Sequence, residues 1–422
     1  MNAPEQTDVA IIGGGPAGAT LGAYLARAGV DHAIFERERF PRPHVGESLV
    51  QATTRVFEEI DFLEKLDNAG FVEKRAAVWV PKNGKGAYEL RILRPDLPID
   101  HTFHVDRARF DQLLLEHAAS LGSPVFQETR VSRLLMAGDR VSGIEIEREG
   151  RRQEVAARFV VDASGRSTVI GRQLQLKQKD PLFDQYAIYS YFEGVDRGPE
   201  SMVDHIHIHF LPTQRGWAWQ IPLSEHLTSV GVVTERDDFR RDGRDREAYF
   251  LRHAHSQPEL ARRLRDARAV QPFRAEGDYS YSMRRLTGPG FVLTGDAARF
   301  VDPIFSSGVS VAVHSARFAS HALVDILKGK TSEEEALCDY EAKLGAGIRV
   351  WYDFIKVYYK LQNLFTRYVR KPEYQPELVR LLEGEVYDAD AITVIDRLRD
   401  EIRKIENTPG HLFRSALTDI PL

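Results

Sequence analysis

The sequence predicts an α/β fold in which a nucleotide-binding βαβ module carries an inserted antiparallel β-sheet and a helical C-terminal region. Three observations support this. A short apolar strand, a glycine-rich turn and a helix open the chain. Residues 181–235 alternate polar and apolar side chains, which is the period-two pattern of half-buried strands. Apolar and aromatic side chains between Trp351 and Phe365 recur at spacings of three and four, as in an amphipathic helix.

The opening βαβ unit has the pattern of a Rossmann-like dinucleotide site. The strand 9–12 leads into Gly-x-Gly-x-x-Gly, a helix follows to about residue 29, and the strand 32–35 ends in an acidic residue. Glycines allow a close approach to a pyrophosphate, the helix N-terminus offers free N–H groups, and the acid accepts hydrogen bonds from ribose hydroxyls. The residues predicted to bind the cofactor here are Gly13, Gly15, Ala17, Gly18 and Glu36.

Two further strand ends carry short polar motifs, Asp162-Ala163-Ser164-Gly165 and Gly295-Asp296-Ala297. The three motifs in this order resemble the FAD-binding module of flavoprotein hydroxylases and related monooxygenases. That resemblance implies that Asp296 contacts the flavin side of FAD and that Arg107 is the FAD-contacting arginine of the superfamily. It also implies FAD contacts from Ser48, Val131 and Asp162. A surface ion pair is the alternative interpretation of Arg107.

The predicted domains are interleaved. A discontinuous FAD-binding module spans residues 1–330, the inserted sheet covers about 178–272, and residues 331–422 form a helical region over the substrate site. The chain has no second Gly-x-Gly-x-x-Gly on a βαβ unit, which favours a flavoprotein without its own pyridine-nucleotide domain. We therefore expect a separate flavin reductase to supply FADH2.

A Trp-x-Trp-x-Ile-Pro motif narrows the choice of flavoprotein family. Trp217 and Trp219 lie on one face of a strand that Pro222 should end. Together with Gly46-Glu47-Ser48 and Pro303-Ile304-Phe305-Ser306-Ser307-Gly308, this string is similar to the signature of flavin-dependent halogenases. The resemblance covers nearly the whole chain and is greatest to the branch that acts on pyrroles tethered to carrier proteins. Taken alone, the two tryptophans would read as core packing.

The resemblance implies a catalytic lysine at Lys74. In this family reduced flavin and O2 give a C4a-hydroperoxide, halide attack on it gives hypohalous acid, and a lysine holds or carries that oxidant. A buried amine suits the task because desolvation lowers its pKa. Without the family match, an ordinary exposed lysine would be the better interpretation. Lys82 and Lys85 flank Asn83-Gly84, which marks them as hairpin-turn residues.

A halide site is predicted at the start of the helix that follows Phe305. By resemblance, the backbone amides of Ser307 and Gly308 bind the anion, and a helix N-terminus has the right dipole for it. Helix capping by serine is compatible with this role. Free-tryptophan halogenases carry a glutamate where this chain has Phe305. This difference favours an electron-rich pyrrole or phenol as the substrate over an indole.

Composition excludes several other classes of function. Lys+Arg total 57 and Asp+Glu total 62 in 422 residues, so a net charge of −5 argues against a nucleic-acid binder. The single cysteine, Cys338, excludes an intrachain disulfide and a thiolate metal site. No signal peptide and no apolar stretch of membrane-spanning length is visible, so we expect a cytoplasmic protein. His205, His207 and His209 lie on one strand face without acidic or cysteine partners at ligand spacing, and no metal is expected.

The sequence thus predicts an FADH2- and O2-dependent halogenase that chlorinates an electron-rich ring, foremost a pyrrole on a peptidyl carrier protein. Halogenation of a free phenol or indole is a weaker alternative. An aromatic hydroxylase on the same fold is the runner-up, and a flavin-binding protein without catalysis is a third interpretation. The expected partners are the flavin reductase and the carrier protein, with a possible homodimer. Chloride or bromide, the number of halogens added and the oligomeric state stay open.

Overall fold

The computed structural model describes residues 2–92, 99–243, 245–277, 280–387 and 392–422. The strands, in chain order, are β1 (Gln6–Ile12), β2 (His32–Phe35), β3 (Val72–Glu73), β4 (Ala76–Val80), β5 (Tyr88–Arg91), β6 (Phe103–His104), β7 (Val125–Phe126), β8 (Thr129–Ala137), β9 (Arg140–Arg148), β10 (Arg151–Asp162), β11 (Lys177–Lys179), β12 (Gln185–Glu193), β13 (Ile206–Phe210), β14 (Trp217–Pro222), β15 (Leu227–Glu235), β16 (Arg268–Ala269), β17 (Arg274–Glu276), β18 (Tyr281–Met283), β19 (Thr287–Gly288) and β20 (Phe291–Leu293).

The helices, in chain order, are α1 (Pro16–Arg27), α2 (Gln51–Glu59), α3 (Leu63–Asp67), α4 (Arg107–Ser120), α5 (Val169–Gln173), α6 (Arg236–Asp242), α7 (Arg246–Ser256), α8 (Pro258–Arg263), α9 (Ser307–Leu327), α10 (Glu333–Lys360), α11 (Phe365–Val369), α12 (Gln375–Leu382) and α13 (Val394–Asn407). Short 3-10 turns at Gly295–Ala297 and Pro303–Phe305 lead from β20 into α9. No helix in the described part of the chain is both long enough and apolar enough to cross a membrane.

The first sheet is the predicted nucleotide-binding sheet, in the order β19-β20-β10-β1-β2-β7, with β9 and β8 added beside β10. β1 lies between β10 and β2 and is parallel to both, and Ile12 is in register with Asp162 and Phe35. The carboxyl ends of these strands therefore meet at one edge, which is where open α/β sheets bind ligands. The α/β fold with the opening βαβ unit is confirmed.

The second sheet has the order β16-β12-β15-β14-β13-β4-β5, with β17 beside β12. Most of its pairs are antiparallel, but β4 pairs parallel with β13, and Ala77 is in register with Ile206. The predicted antiparallel sheet thus also includes β4 and β5, which come from before residue 178. The domain boundaries stay a prediction. One face of the sheet joins the main core, and the other packs α7 and α8 in a separate apolar cluster.

The C-terminal helices begin with a strong start signal. The Ser332 hydroxyl accepts a hydrogen bond from the Glu335 amide at 3.1 Å, and three glutamates occupy the first turn of α10, where the helix dipole favours negative charge. The aromatic pattern from Trp351 to Phe365 covers the end of α10 and the start of α11. The inward-facing rings are fully buried, so this region is part of the core.

Candidate active site

The edge formed by β1, β2 and β10 opens into a cavity of about 840 Å³. Gly13 has φ +102°, and a Cβ there would lie 2.5 Å from the Ala163 carbonyl oxygen. A Cβ at Gly18 would lie 1.9 Å from the Gly13 carbonyl oxygen. Both positions therefore require glycine, and the turn holds the N-terminus of α1 against the cavity.

Glu36 lies beside this turn at the end of β2. Its Oε2 accepts a hydrogen bond from the Gly14 amide at 2.7 Å, and its Oε1 accepts one from the Glu38 amide at 2.8 Å. The side chain is 5% exposed and lines the cavity. A carboxylate oxygen accepts more than one hydrogen bond, so ribose hydroxyls have acceptors here. Val131 and Ala17 line the same wall.

Arg107 holds the loop that forms another wall of the cavity. Asp106 caps α4 by accepting a hydrogen bond from the Ala108 amide at 2.9 Å, which fixes Arg107 as the first helical residue. The guanidinium donates to both carboxylate oxygens of Asp111, at 2.8 and 3.1 Å, and to the Val45 carbonyl oxygen at 2.8 Å. Arg107 is buried and lines the cavity, so it is not the surface ion pair considered above.

Two neighbouring polar side chains complete that wall. The Ser48 hydroxyl is buried and has no hydrogen-bond partner among the described residues, although it borders the cavity. Glu47 accepts hydrogen bonds from the Tyr191 hydroxyl at 3.2 Å and the Ser229 hydroxyl at 3.1 Å. Burial raises the pKa of Glu47 against these hydrogen bonds. Sequence reasoning assigned no role to Glu47, although it noted the Gly-Glu-Ser string.

The two predicted aspartates differ in their surroundings. Asp296 lines the cavity, and burial raises its pKa to about 6, partly offset by Arg166 and Arg107. Asp162 is fully buried and does not line the cavity. Its carboxylate accepts hydrogen bonds from the Ser164 amide at 3.0 Å, the Ser164 hydroxyl at 2.6 Å and the Ile170 amide at 2.7 Å. The Asp162 carboxylate is therefore used by its own turn, and a cofactor contact from Asp162 stays a prediction.

The cavity ends at the N-terminus of α9. Pro303, Ser306 and Gly308 line it, and a Cβ at Gly308 would meet open space. Ser306 has φ +57° and precedes the helix without a side-chain cap. The Ser307 side chain is buried and does not line the cavity. The first amides of α9 are thus the groups that a small anion can reach from the cavity.

Lys74 lies behind the wall formed by Ser48. It is 3% exposed, and its Nζ donates to the Leu49 carbonyl oxygen at 2.8 Å. Burial lowers the pKa of the Lys74 amine to about 7, and no carboxylate lies within ion-pair distance of it in the described structure. The buried imidazole of His104 is close enough that the charge of Lys74 contributes to lowering its pKa, after the larger effect of burial. The amine therefore stands between its charged and neutral forms near neutral pH.

The predicted tryptophans lie between the cavity and the C-terminal helices. Trp217 and Trp219 both line the cavity, and Pro222 is the last residue of β14. The Trp217 Nε1–H donates to the Tyr359 hydroxyl at 2.9 Å. That hydroxyl is also 3.1 Å from the Asp302 carboxylate, which immediately precedes the Pro303 turn. The Tyr359 hydroxyl of α10 thus links β14 to the loop before α9 through hydrogen bonds.

Phe305 lies in an aromatic cluster and does not line the cavity. It stacks on Phe354 with ring centroids 4.3 Å apart and meets Tyr358 edge-on at 5.0 Å. Phe365 and Trp351 surround the same ring at greater distance. An apolar ring therefore stands at the position where the free-tryptophan enzymes were noted to carry a glutamate.

Comparisons with known proteins identify the family. The model of the FAD binding domain family matches residues 6–346. The 1H-pyrrole-2-carbonyl-[peptidyl-carrier protein] chlorinase of Pseudomonas fluorescens is 44% identical over 437 residues, which cover 98% of this chain and 97% of the relative. The flavin-dependent halogenase armH5 of Armillaria mellea is 32% identical over 368 residues, covering 81% of this chain and 69% of that protein. The chain belongs to the flavin-dependent halogenases.

The fold of this halogenase agrees with a solved relative. The structure of the flavin-dependent brominase Bmp2 superposes with a TM-score of 0.87 at 27% identity, covering 94% of this chain and 98% of that one. The enzyme uses FAD, with halide and O2 as co-substrates, and the cavity fits the cofactor. It combines the glycine turn, an orphaned Ser48 hydroxyl and open space beside Gly308.

Most of the predicted cofactor residues of this halogenase share one cavity. They are Gly13, Gly15, Ala17, Glu36, Ser48, Arg107, Val131, Asp296 and Gly308, joined by Trp217, Trp219 and Pro303. Gly18 acts by packing, and Lys74, Ser307, Phe305 and Pro222 lie outside the lining. In the described residues, no group of histidine, cysteine, aspartate or glutamate side chains is arranged to hold a metal ion.

Proposed function

We propose that this halogenase chlorinates a pyrrole ring that is tethered to a peptidyl carrier protein. The observation that carries the chemistry is the buried amine of Lys74, whose pKa is lowered to about 7 by burial. The similarity to the Pseudomonas fluorescens chlorinase, across nearly the full length of both chains, supports the substrate class and the choice of chloride. FADH2 comes from a separate flavin reductase.

Lys74 handles the oxidant in this proposal. When bound, reduced flavin would supply two electrons to O2, and the resulting peroxide-level oxygen would supply the oxidising equivalent that turns chloride into hypochlorous acid. The protonated amine donates a hydrogen bond that polarises this small neutral acid, and the neutral amine is a nucleophile toward its chlorine. A pKa near 7 gives the enzyme both forms at working pH.

The halide and the ring are held by different parts of the chain. The free amides at the start of α9, including those of Ser307 and Gly308, bind the halide beside the flavin. Trp217 and Trp219 separate the cofactor cavity from the C-terminal region, so the organic substrate stays away from the flavin. Phe305, in its buried aromatic cluster, brings no carboxylate to the loop before α9, which suits an electron-rich ring that needs little activation.

The decisive experiment replaces the amine. Lys74→Ala should bind FAD and oxidise FADH2 at the wild-type rate but form no chlorinated product, measured by mass spectrometry of a pyrrole-2-carbonyl carrier protein. The matched control is Lys82→Ala, because Lys82 is a half-buried lysine that also donates to a backbone carbonyl, that of Thr213 at 3.2 Å. Wild-type chlorination by Lys74→Ala would overturn the assignment.

Two omissions test the rest of the proposal. Without halide, a halogenase makes no organic product, whereas an aromatic hydroxylase still does. Without a reductase, NADH should not be consumed and no product should form, and photochemically reduced FAD should restore chlorination. Sustained turnover with NADH alone would contradict the two-component scheme.

A further inference from the structure

One short segment of the C-terminal region is rich in basic residues, although neither the region nor the whole protein is basic. Residues 354–372 contain five lysines and arginines and no acidic residue, in a chain whose net charge is −5. The inner side of the same segment carries the buried rings of Phe354, Tyr358 and Phe365 that surround Phe305. Of the five cations, Lys360 is buried and pairs with Glu406 at 2.7 Å and Lys371 lies 3.9 Å from Glu373, whereas Arg367 and Arg370 are exposed.

The two exposed arginines of this segment, Arg367 and Arg370, make cation–π contacts with aromatic rings. The Arg367 guanidinium lies 4.7 Å from the centroid of Phe413, and that of Arg370 lies 4.7 Å from the centroid of Tyr88. Arg370 also reaches the Gly86 carbonyl oxygen at 3.4 Å, which places it beside the β4–β5 turn. An aromatic ring orients a cation without neutralising it, unlike a carboxylate.

Two further exposed cations extend this area, Lys85 from the β4–β5 turn and Arg414 from the C-terminal tail. Within the described part of the chain, no carboxylate lies within 4.0 Å of Lys85, Arg367, Arg370 or Arg414. These four residues define what we call the basic surface. It draws on three segments that are distant in sequence, and none of its four cations is paired with a carboxylate of the described residues.

An exposed apolar side chain, Leu412, belongs to the same tail segment as Arg414. Leu412 is 82% exposed, against 45% for Met136 and 42% for Leu422, the other exposed large hydrophobic residues in the described structure. A single exposed leucine means little by itself. Here it immediately precedes Phe413, the ring under Arg367, and is two residues from Arg414. Apolar side chains ringed by charge are typical of protein interfaces.

The distance between the basic surface and the buried amine of Lys74 can be compared with the reach of a tethered substrate. Lys74 precedes β4 and the Lys85 turn follows it, so the two lie beyond opposite ends of a strand of five residues, which is roughly 17 Å long at about 3.3 Å per residue. A substrate delivered on an extended flexible arm can span such a distance, whereas one bound rigidly at the surface cannot.

A second groove fits an anionic partner poorly. It has a volume of about 860 Å³ and lies at the Lys74 end of the second sheet. Its lining includes Glu193, Asp204 and Glu225 against one arginine, Arg197, which donates to Thr228 and Leu227. Like charges across an interface are costly, so a negatively charged partner would be repelled there.

We propose that the basic surface is the docking site for the carrier protein, which brings an acidic face and the phosphodiester of its phosphopantetheine arm to Lys85, Arg367, Arg370 and Arg414. Leu412, two residues before Arg414, supplies an apolar contact. This inference rests on the proposed function, because it assumes a carrier-tethered substrate. Complementary charge speeds the encounter and sets the register of such a complex.

The test reverses charge on the surface and compares two thioesters. Lys85→Glu/Arg370→Glu should raise KM for the pyrrole-2-carbonyl carrier protein about tenfold or more, since like-charge contacts across an interface are strongly unfavourable. kcat at saturating carrier, FADH2 oxidation and chlorination of the N-acetylcysteamine thioester of pyrrole-2-carboxylic acid should not change. The matched control is Arg285→Glu/Lys328→Glu, because both residues are exposed and Arg285 also rests on a ring, that of Phe291 at 5.3 Å.

A second variant and a rescue make the outcomes unambiguous. Leu412→Asp alters an 82% exposed side chain, so the fold should survive, and it should also raise KM for the carrier. A carrier with its acidic residues changed to lysine should recover on the charge-reversed enzyme. Equal KM values for the surface variant and the control would overturn the proposal, as would loss of self-association in sedimentation with an unchanged KM. If the wild-type enzyme chlorinated only the free thioester, the proposed function would fail instead.

Discussion

Replacing Lys74 by methionine should make the protein more stable while abolishing its chemistry. The amine is 3% exposed, and burial lowers its pKa from 10.5 to about 7. Each pKa unit corresponds to 1.36 kcal/mol, so holding the charged form in the folded state costs about 5 kcal/mol. Methionine has a similar length and no charge. The substitution also leaves the Leu49 carbonyl oxygen without its hydrogen-bond donor. That loss reduces the gain in stability by about 1–3 kcal/mol.

The sign of the pH dependence follows from proton counting. Between pH 7 and 10.5 the unfolded chain keeps the lysine proton that the folded chain has lost, so wild-type stability rises with pH in this window. Below pH 7 both states carry the proton, and the full penalty is present. The stability advantage of Lys74→Met should therefore be greatest at pH 6 and fall by about 2–3 kcal/mol by pH 9.

Urea unfolding of both proteins at saturating FAD, from pH 6 to pH 9, measures this difference directly. Subtracting wild type from variant cancels the other titrating groups. Lys328→Met, at an exposed position, is the control and should show no comparable trend. A difference between Lys74→Met and wild type that stayed constant across this range would show that the folded amine keeps its charge, and the argument for a nucleophilic amine would be lost.

Three other substitutions test the cofactor site and its supports. Gly18→Ala should abolish FAD binding in a fluorescence titration, because the new Cβ would lie 1.9 Å from the Gly13 carbonyl oxygen; tight binding would contradict this packing. Arg107→Lys should raise the Kd for FAD about tenfold, since lysine cannot make the two-pronged contact with Asp111 that fixes the loop. Tyr359→Phe should cost about 2–4 kcal/mol in urea unfolding by stranding buried hydrogen-bonding groups, and a neutral result would mean that the network is not formed.

The parts of the fold that were predictable are those encoded by local patterns. The strand before Gly13, the helix after it and the strand ending at Glu36 follow from periodicity and turn residues within one short stretch. The parallel pairing of β4 with β13 was not predictable, because Ala77 and Ile206 are 129 residues apart and no local signal joins them. The second sheet therefore gained two strands that sequence reasoning did not place.

The candidate site likewise has parts that the sequence predicts and parts that it does not. Residues at motif positions, such as Ser48, Arg107 and Asp296, lie on the cavity as expected. Asp162 shows the limit of such reasoning: a carboxylate at a strand end can face a ligand or cap its own turn, and the sequence reads the same in both cases. The role of Tyr359 depends on a helix packing against two distant segments, so its hydroxyl gave no sequence signal.

In the two proposals, the buried amine controls where the oxidant is held and the basic surface controls which ring reaches it. Hypochlorous acid is small, neutral and indiscriminate, so a halogenase controls its product only by controlling which ring meets the oxidant and where. In the proposed function Lys74, buried at one end of β4, fixes the oxidant without an ion pair that would keep its amine charged. A tethered ring cannot diffuse to other sites on the enzyme once its carrier is held at the opposite end of that strand. The charge distribution is consistent with this division, because a protein with a net charge of −5 carries, on the basic surface, four exposed cations with no carboxylate of the described residues within 4.0 Å.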